Sequence, residues 1–376
     1  MFRLSNLIKS TLQNKTERTL NGSIMIWNFT NRCNLLCHHC YSKADANGTD
    51  SLSFEQIKDT IPKLVLAGVK FVIFSGGEPL IRKDIFDIAA AMKEAGIMTY
   101  LSTNGMYIND KNAKQIVDTF NYIGISIDGT KEEHDYFRGQ KGSYDKAIQG
   151  IKHIQNAGGN AGIRFTLTKE TQKSFYKMFD LVEELGCNKL YISHLVYSGR
   201  GLDNLKIDIT KQERREYVEY IIDKAFEYYK DGKDIDLVTG NMEMDSVLLL
   251  QRFQKDYPDF VDSLTTKLKQ WGGNSAGDRL GNMDWLGNVK PDPFFPKYIG
   301  NYLNKPFDDI WVNDIDEITQ KLRAKPRQIG GRCATCKYIS ICNGGSRSRA
   351  NAIHDDLWAE DPSCYLTNEE IGVENE

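Results

Sequence analysis

Short apolar runs recur along the first two hundred residues, and a stretch with helical periodicity follows each of them. The apolar runs begin at Ser23, Phe71, Thr99, Tyr122, Ala161 and Lys189. Stretches between them, such as FEQIKDTIPKLVLAG and DIFDIAAAMKEAG, follow a helical pattern and end in Gly, as helix C-termini often do. Six strands separated by helical crossovers predict an α/β fold with a parallel sheet.

The ends of the six predicted strands are the first candidate for a functional site. Each run ends in small, polar or charged residues, and in parallel α/β folds the carboxyl ends of the strands carry the site. We therefore expect the six ends to face one cavity. A chain of 376 residues is long enough for a large barrel with an appended module.

The pattern changes after about residue 204. The stretch TKQERREYVEYIIDKAFEYYKDGK predicts a long amphipathic helix that packs with one face and exposes the other, charged face to solvent. A Gly- and Asn-rich stretch then leads to GRCATCKYISICNGG, and the tail from Thr367 is acidic and expected to be disordered. The predicted segments are a lead-in (1–22), a barrel (23–204), a helical connector (205–270), a cysteine-rich domain (271–366) and an acidic tail (367–376).

Composition and charge restrict the partners. A net charge of -3 gives no general attraction to nucleic acid or anionic membranes. The N-terminal stretch lacks the apolar run of a signal peptide, and no segment approaches the ~18 consecutive apolar residues of a membrane span. We therefore expect a soluble, cytoplasmic protein with no nucleic-acid or membrane partner.

Seven of the eight cysteines fall in two groups. The first group, Cys33, Cys37 and Cys40, has the spacing C-x3-C-x2-C, whereas Cys187 stands alone and is expected to be a buried structural thiol. In a reducing compartment such tight groups are more typical of metal sites than of disulfides. The second group consists of Cys333, Cys336, Cys342 and Cys364.

The first group offers three thiols, which suits a 4Fe–4S cluster better than zinc. Zinc prefers four tetrahedral ligands, and His38 or His39 would have to supply the fourth from between two ligating cysteines. Three thiolates on a 4Fe–4S cube leave one iron open for chemistry. The four thiols of the second group satisfy either zinc or a 4Fe–4S cluster.

The stretch CNLLCHHCY resembles the C-x3-C-x2-C-aromatic signature of the radical S-adenosylmethionine (SAM) enzymes. GGEP at 76–79, STNG at 102–105, SIDG at 126–129 and Arg164 in IRFTLT resemble later motifs of that family, in the same order. The resemblance implies a partial (β/α)6 TIM-type barrel and a 4Fe–4S cluster on the first three cysteines. It also implies that SAM is bound by Tyr41, Gly76, Gly77, Glu78, Pro79, Ser102, Asn104, Ser126 and Arg164.

The implied chemistry is radical. One electron cleaves SAM to methionine and a 5′-deoxyadenosyl radical, which abstracts hydrogen from an unactivated carbon inside a dry site. The resemblance further implies an electron donor such as flavodoxin or ferredoxin. A non-enzymatic iron–sulfur or zinc sensor is an alternative, and SAM cleavage separates the two classes.

The second cysteine group resembles the SPASM/twitch extensions, which hold auxiliary 4Fe–4S clusters. Ser275, Asp292 and Ser346 stand where further ligands would fall. The resemblance therefore implies a C-terminal iron–sulfur extension with one auxiliary cluster that has four cysteine ligands. Such a chain would hold two 4Fe–4S clusters in total.

The stretches SHLVYSGRG, WGGNSAG, KPFDDIW and WAEDPSCYL extend the resemblance over almost the whole chain, to the NirJ-type haem d1 biosynthesis proteins. This implies an iron tetrapyrrole substrate and the removal or conversion of propionate side chains of 12,18-didecarboxysiroheme. One alternative is a related decarboxylase of the siroheme-dependent haem pathway, which forms Fe-coproporphyrin. Another is a SPASM-type peptide maturase, which the short lead-in of about 22 residues disfavours.

Two sets of residues are candidates for substrate contact. His194, Tyr197 and Arg200 in SHLVYSGRG are the catalytic candidates; His194 would ligate the substrate iron or move a proton, unless it is a hydrogen-bonded structural residue. An acid-free basic stretch predicts a carboxylate-binding cradle, or else charge compensation for a cluster or a solvated face. Its members are Arg323, Lys325, Arg327, Arg332, Lys337, Arg347 and Arg349.

Overall fold

The computed structural model describes residues 1–15 and 22–374. Within them, 11 strands form one sheet in the order β1-β8-β7-β6-β5-β4-β3-β2-β9-β10-β11. The strands span Phe2–Arg3 (β1), Ser23–Asn28 (β2), Val69–Ser75 (β3), Met98–Thr103 (β4), Tyr122–Ser126 (β5), Ala161–Leu167 (β6), Lys189–His194 (β7), Asp236–Gly240 (β8), Leu280–Met283 (β9), Asn288–Lys290 (β10) and Gly300–Asn301 (β11).

Helices cover the sheet and connect its strands. The α-helices span Leu4–Leu12 (α1), Phe54–Leu66 (α2), Ile85–Glu94 (α3), Ala113–Thr119 (α4), Lys131–Arg138 (α5), Ser143–Asn156 (α6), Lys177–Glu184 (α7), Arg200–Asp203 (α8), Lys211–Lys230 (α9), Asp245–Asp256 (α10), Val261–Trp271 (α11), Glu317–Arg323 (α12), Ile339–Cys342 (α13), Arg347–His354 (α14) and Asn368–Ile371 (α15). Short 3₁₀ segments span Pro79–Ile81, Gln172–Ser174, Leu205–Ile207, Pro258–Phe260 and Gly331–Ala334, and a π turn spans Asp309–Asn313.

The sheet confirms the predicted α/β fold class. Strands β2 to β7 are the six predicted ones, and they pair in parallel in chain order. Strand β3 is buried along most of its length and is apolar rather than alternating, as is usual for a strand of a buried parallel sheet. The predicted long helix is also present as α9, and it begins with a capping box between Thr210 and Glu213.

The sheet is wider than the sequence predicts. Strand β8, with the sequence DLVTG, pairs in parallel with β7 inside the segment predicted as a helical connector. Strand β9, with the sequence LGNM, pairs in parallel with β2 from the other side. Both strands are short and have few apolar residues, so their local pattern is weak. The described parallel part of the sheet therefore runs from β8 to β9.

Two glycines on the strands leave space for large polar side chains inside the barrel. A Cβ at Gly124 on β5 would lie 2.8 Å from the Cδ of Arg164, and one at Gly240 on β8 would overlap the hydroxyl group of Tyr191. The guanidinium of Arg164 lies over the Tyr191 ring, 4.6 Å from its centroid. Arg164 and Tyr191 therefore lie together in the lumen below the strand ends, where they also line a second cavity of about 390 Å³.

The acidic tail is ordered where the structure describes it, so the expectation of disorder is wrong for residues 367–374. Thr367 and Glu370 form a capping box at the start of α15. Both carboxylate oxygens of Glu370 accept hydrogen bonds from Arg215 of α9, at 2.9 and 2.8 Å. Residues 16–21 of the predicted lead-in and residues 375–376 of the tail lie outside the described residues.

None of the helices in residues 1–15 and 22–374 combines the length and apolar character that a membrane span requires.

Candidate functional site

A cavity of about 170 Å³ lies at the carboxyl ends of strands β3 to β8. The residues at or just after those strand ends that line it are Ser75, Ser102, Thr103, Ser126, His194 and Asn241. The expectation that the six predicted strand ends face one cavity is therefore confirmed for β3 to β7, whereas no described residue of β2 lines the cavity.

Most of the residues proposed from the sequence meet in this cavity. Those that line it are Cys33, Cys37, Cys40, Tyr41, Gly76, Gly77, Ser102, Asn104, Ser126, Arg164, His194 and Arg200. Glu78, Pro79 and Tyr197 are absent from its described lining. The individual roles assigned to these residues stay predictions.

The end of helix α5 holds the cysteine loop in place. The backbone N–H of Leu36 donates to the carbonyl of Arg138 at 3.2 Å, and that of His38 donates to the carbonyl of Phe137 at 3.0 Å. The His39 ring stacks on Phe137, with centroids 4.4 Å apart and planes 4° from parallel. The loop is thus fixed against a helix end through its backbone and a ring.

Arg200 contacts the same loop from the other side. Its Nε donates to the carbonyl of Cys37 at 2.7 Å, and its Nη2 donates to the carbonyl of Ala44 at 3.0 Å. These hydrogen bonds make Arg200 a positioning residue for the loop. The Nδ1 of His38 lies 2.7 Å from Glu170 Oε2, so this imidazole is paired away from the three thiols.

The donor set of the loop fits a 4Fe–4S cluster. The three thiols line one cavity, and soft thiolate ligands are the usual ligands of such clusters. Burial raises the pKa of Cys33 to about 12 and that of Cys37 to about 11. These thiols therefore need a nearby positive charge, such as that of a metal centre, to ionise at neutral pH.

Glu78 is buried next to the cavity and accepts three hydrogen bonds. Its carboxylate accepts hydrogen bonds from Thr103 Oγ1 at 2.7 Å, Asn104 N at 2.8 Å and Leu80 N at 3.1 Å. Burial raises the Glu78 pKa to about 7, against the opposing effect of these three donors. Glu78 therefore connects the GGEP turn to the end of β4.

The extension after β10 contributes one wall of the cavity. Phe294 lines it and meets the Tyr41 ring edge-on, with centroids 5.1 Å apart. The Tyr41 hydroxyl donates to Asn28 Oδ1 at 2.9 Å, which fixes the ring at the end of β2. Phe294 was missed from the sequence, since nothing in PDPFF distinguishes it from a core aromatic residue.

His194 is a buried neutral imidazole at the end of β7. Its side chain is 0% exposed, and its Nε2 lies 3.7 Å from Asp245 Oδ2, which is too long for a hydrogen bond. Burial lowers the pKa of His194 despite the nearby carboxylate. Asp245 in turn accepts a hydrogen bond from the Tyr365 hydroxyl at 2.8 Å. Among the described residues neither ring nitrogen has a partner within hydrogen-bond distance, and Asp245 is the carboxylate nearest to Nε2.

Tyr197 belongs to a neighbouring network. Its hydroxyl donates to Asp208 Oδ2 at 2.6 Å, and Arg214 donates to the other oxygen of Asp208 at 2.7 Å. The structure thus separates Tyr197 from the cavity that His194 and Arg200 line.

The four cysteines of the second group also come together. Cys333, Cys336, Cys342 and Cys364 line one small cavity of about 20 Å³. Burial raises the pKa of Cys333 to about 12, and the nearby Arg347 opposes this rise. Four thiols beside a buried cation fit an anionic four-cysteine cluster. Cys187, by contrast, is buried in the barrel core, as expected.

The residues that stand where further cysteine ligands were sought have other contacts. Asp292 Oδ1 accepts a hydrogen bond from the backbone of Phe294 at 2.8 Å, and burial raises the pKa of Asp292 to about 6. The Ser346 hydroxyl caps helix α14. The Ser275 carbonyl accepts backbone hydrogen bonds that close a turn before β9.

The carboxylate-binding cradle predicted from the basic stretch is wrong. Arg347 and Arg349 are both 0% exposed. Arg347 donates to the carbonyl of Leu357 at 2.8 Å, and Arg349 donates to both oxygens of Asp361, at 2.9 and 2.7 Å. Their donors already have partners inside the protein. For Arg347 and Arg349 a solvated face is excluded for the same reason, whereas Lys325 and Lys337 of the same stretch are exposed to solvent. The closeness of Arg347 to the second cysteine group fits charge compensation.

We expect Arg349→Met to destabilise the fold by about 3–5 kcal/mol, because it leaves the Asp361 carboxylate buried without its cation. Burial favours the neutral acid, but Arg349 outweighs it and lowers the pKa of Asp361. The stabilisation is therefore present at neutral pH and is lost as the pH falls through the lowered pKa.

Urea unfolding at neutral pH measures the effect. The matched control is Lys325→Met, whose partner Asp278 is at the surface, and we expect it to cost about 0–1 kcal/mol. Equal costs for the two variants would contradict the burial argument.

Comparison with known protein families and sequences gives matches over most of the chain. Residues 27–182 match the model of the radical SAM superfamily. The chain is 37% identical over 355 residues to the Fe-coproporphyrin III synthase of Methanosarcina barkeri, covering 93% of this chain and 89% of that protein. It is 36% identical over 381 residues to the pre-heme d1 synthase of Dinoroseobacter shibae, covering 99% and 94%.

Solved structures share the fold at lower identity. Streptococcus suis SuiB bound to S-adenosylmethionine superposes with a TM-score of 0.71 at 18% identity, covering 92% of this chain and 78% of that one. Native anSMEcpe with bound AdoMet superposes with a TM-score of 0.68 at 20% identity, covering 93% and 95%. At these identities the likeness concerns the fold alone.

Proposed function

The chain belongs to the radical SAM superfamily, and from that premise we propose that it is an enzyme that alters side chains of an iron tetrapyrrole in haem biosynthesis. The observation that carries the proposal is its similarity to two tetrapyrrole synthases. The Fe-coproporphyrin III synthase and the pre-heme d1 synthase match 93% and 99% of this chain. The match to the pre-heme d1 synthase, at 99% of this chain, spans both cysteine groups and the residues that line the cavity.

We propose propionate removal or conversion on 12,18-didecarboxysiroheme as the reaction. A second candidate, the formation of Fe-coproporphyrin, is favoured by the 37% identity to the synthase of that name. The two candidates share the substrate class and differ in the side chain that is lost.

Membership of the superfamily implies a 4Fe–4S cluster and SAM. When bound, SAM on such a cluster supplies a 5′-deoxyadenosyl radical that takes a hydrogen atom from the substrate. In our proposal Cys33, Cys37 and Cys40 hold this cluster, and flavodoxin or ferredoxin reduces it. The second cysteine group would hold an auxiliary 4Fe–4S cluster that exchanges an electron with the substrate.

The remaining residues of the cavity bind SAM and exclude water in this proposal. Gly76 and Gly77 lie close to the loop below them: a Cβ at Gly77 would overlap the backbone of Arg32, and one at Gly76 would lie 2.5 Å from the Thr30 carbonyl. A side chain at either position would therefore collide with residues 30–32, and both glycines line the cavity. The edge-on contact of Tyr41 with Phe294 closes another side of it. A closed wall protects a reactive radical from water.

The size of the cavity limits how a tetrapyrrole enters it. The cavity measures about 170 Å³, and in our proposal SAM and the first cluster must share it with the substrate. We propose that a peripheral side chain enters while the macrocycle stays at the mouth. Such a pose presents side-chain carbon atoms, rather than the ring, to the radical.

His194 is the substrate-facing residue in this account. Metal-ligating histidines usually donate their second ring N–H to a carboxylate. Asp245 lies 3.7 Å from Nε2 and would have to approach the ring to accept that hydrogen bond. A neutral imidazole with a free nitrogen can ligate the substrate iron or accept a proton. Either role requires His194 to turn towards the bound side chain.

Mass spectrometry of a tetrapyrrole panel tests the proposal. The reduced protein is incubated anaerobically with SAM and, in separate reactions, with 12,18-didecarboxysiroheme and Fe-coproporphyrin. We expect side-chain mass to be lost from the first, and the size of the loss distinguishes the two candidate reactions. Unchanged masses of both tetrapyrroles would contradict the proposal.

A further inference from the structure

A buried guanidinium touches one of the three thiols of the cysteine loop. The Nη1 of Arg138, in the last turn of α5, lies 3.7 Å from the Sγ of Cys37, within hydrogen-bond range for sulfur. Cys37 is 6% exposed and is the buried one of the three, since Cys33 and Cys40 are partly exposed. The residue was not singled out from the sequence, because 101 positions separate it from Cys37.

The carboxylate of Asp128 binds the same guanidinium through other nitrogen atoms than Nη1. The Nε of Arg138 donates to Asp128 Oδ2 at 2.6 Å, so Nη1 remains directed at the thiol. Asp128 is 0% exposed and is itself fixed, because its Oδ1 accepts from the backbone of Thr166 at 2.7 Å. The cation therefore lies between a buried sulfur atom and a buried carboxylate.

Arg138 stays charged in this position. A guanidinium keeps its proton in proteins, and the buried Asp128 carboxylate pairs with it. Because Cys37 and Asp128 are both buried, the positive charge acts on the sulfur atom through a medium of low dielectric constant.

We propose that Arg138 raises the reduction potential of the cluster held by Cys33, Cys37 and Cys40, with Asp128 offsetting part of the effect. Reduction adds one negative charge to the cluster. A fixed cation and an N–H···S hydrogen bond stabilise that charge, and hydrogen bonds to sulfur and net charge are among the determinants of cluster potential. Arg138 is thus a positioning residue that makes the cluster easier to reduce by its electron donor. The inference rests on the proposed cluster ligation and is independent of the tetrapyrrole.

Two substitutions that each remove one charge should shift the reduction potential of the cluster in opposite directions. Arg138→Met removes the cation and should lower the potential, whereas Asp128→Asn removes the opposing anion and should raise it. For Arg138→Met we expect the ratio of reduced to oxidised cluster at a fixed potential to fall roughly tenfold, about 59 mV for one electron. Arg138→Lys, which keeps the charge on a shorter stem, should fall between Met and the wild type.

The measurement is a potentiometric titration of the reconstituted protein, followed by the electron paramagnetic resonance of the reduced cluster. The signal that changes on addition of SAM identifies the cluster with the open iron. The matched control is Arg82→Met: Arg82 is also a buried arginine paired with an aspartate, but it donates to the carbonyls of Phe29 and Leu52 rather than to a thiol. We expect its cluster potential to stay at the wild-type value.

A purely structural role predicts a different result. Both Arg138→Met and Asp128→Asn would then lose iron, and the cluster that remained would keep the wild-type potential; that outcome, or shifts of the same sign, overturns the proposal. If Arg138→Met binds no cluster, Arg138→Lys and Asp128→Asn still decide by the sign of their shifts. Failure of the wild type to form a cluster with an open iron would instead contradict the proposed function.

Discussion

Replacing Cys33, Cys37 and Cys40 together with Ala is expected to abolish 5′-deoxyadenosine formation and to halve the bound iron. Two cubanes give about eight irons per chain, and loss of the first should leave about four. The physical reason is ligand number: only the three-cysteine group leaves an iron open to SAM. The measurement is iron content with chromatography of the nucleoside product after anaerobic reconstitution.

Cys187→Ala is the matched control for this triple variant. Cys187 is a buried thiol in the barrel core, so its loss tests the effect of removing a buried cysteine in general. We expect full iron and full nucleoside formation. Deoxyadenosine from the triple variant would contradict the assignment of the two cysteine groups.

Replacing Cys342 and Cys364 with Ala is expected to remove about four irons and to stop conversion of the tetrapyrrole. These thiols line the second cysteine cavity with Cys333 and Cys336, and a cubane does not persist on two ligands. We expect SAM cleavage to continue in this variant, since the open iron lies in the first loop. Iron analysis, nucleoside formation and tetrapyrrole conversion, measured on one preparation, separate the two activities.

Stoichiometric zinc in the anaerobically purified wild type would contradict the auxiliary cluster. Tetrahedral zinc draws thiolates to about 2.3 Å. The four thiols of the second group satisfy either zinc or a 4Fe–4S cluster, so metal analysis of the purified protein decides between the two.

The sequence predicted those strands and motifs whose residues lie next to one another in the chain. The apolar runs of β2 to β7 are long enough to be recognised, and the spacing of Cys33, Cys37 and Cys40 lies within one loop. Strands β8 and β9 were missed because each is short and is stabilised by pairing with a strand distant in sequence. These two segments form strands because they pair with β7 and β2, and not because of a strong strand pattern in their own residues.

Charge patterns in the sequence did not reveal burial. The basic stretch around Arg347 and Arg349 has the composition of an exposed anion-binding surface. Its guanidiniums instead fill the interior of the extension, where backbone carbonyls and Asp361 accept their hydrogen bonds. For the same reason Arg138 was not recognised: its importance depends on a contact with Cys37 that only the folded chain creates.

The most direct test of the central claim is whether an iron tetrapyrrole stimulates SAM cleavage by this protein. The reduced, reconstituted protein is incubated anaerobically with SAM alone, with 12,18-didecarboxysiroheme and with a cysteine-bearing peptide, and 5′-deoxyadenosine is quantified in each case. The account predicts a marked increase with the tetrapyrrole and none with the peptide. Stimulation by the peptide alone would contradict it.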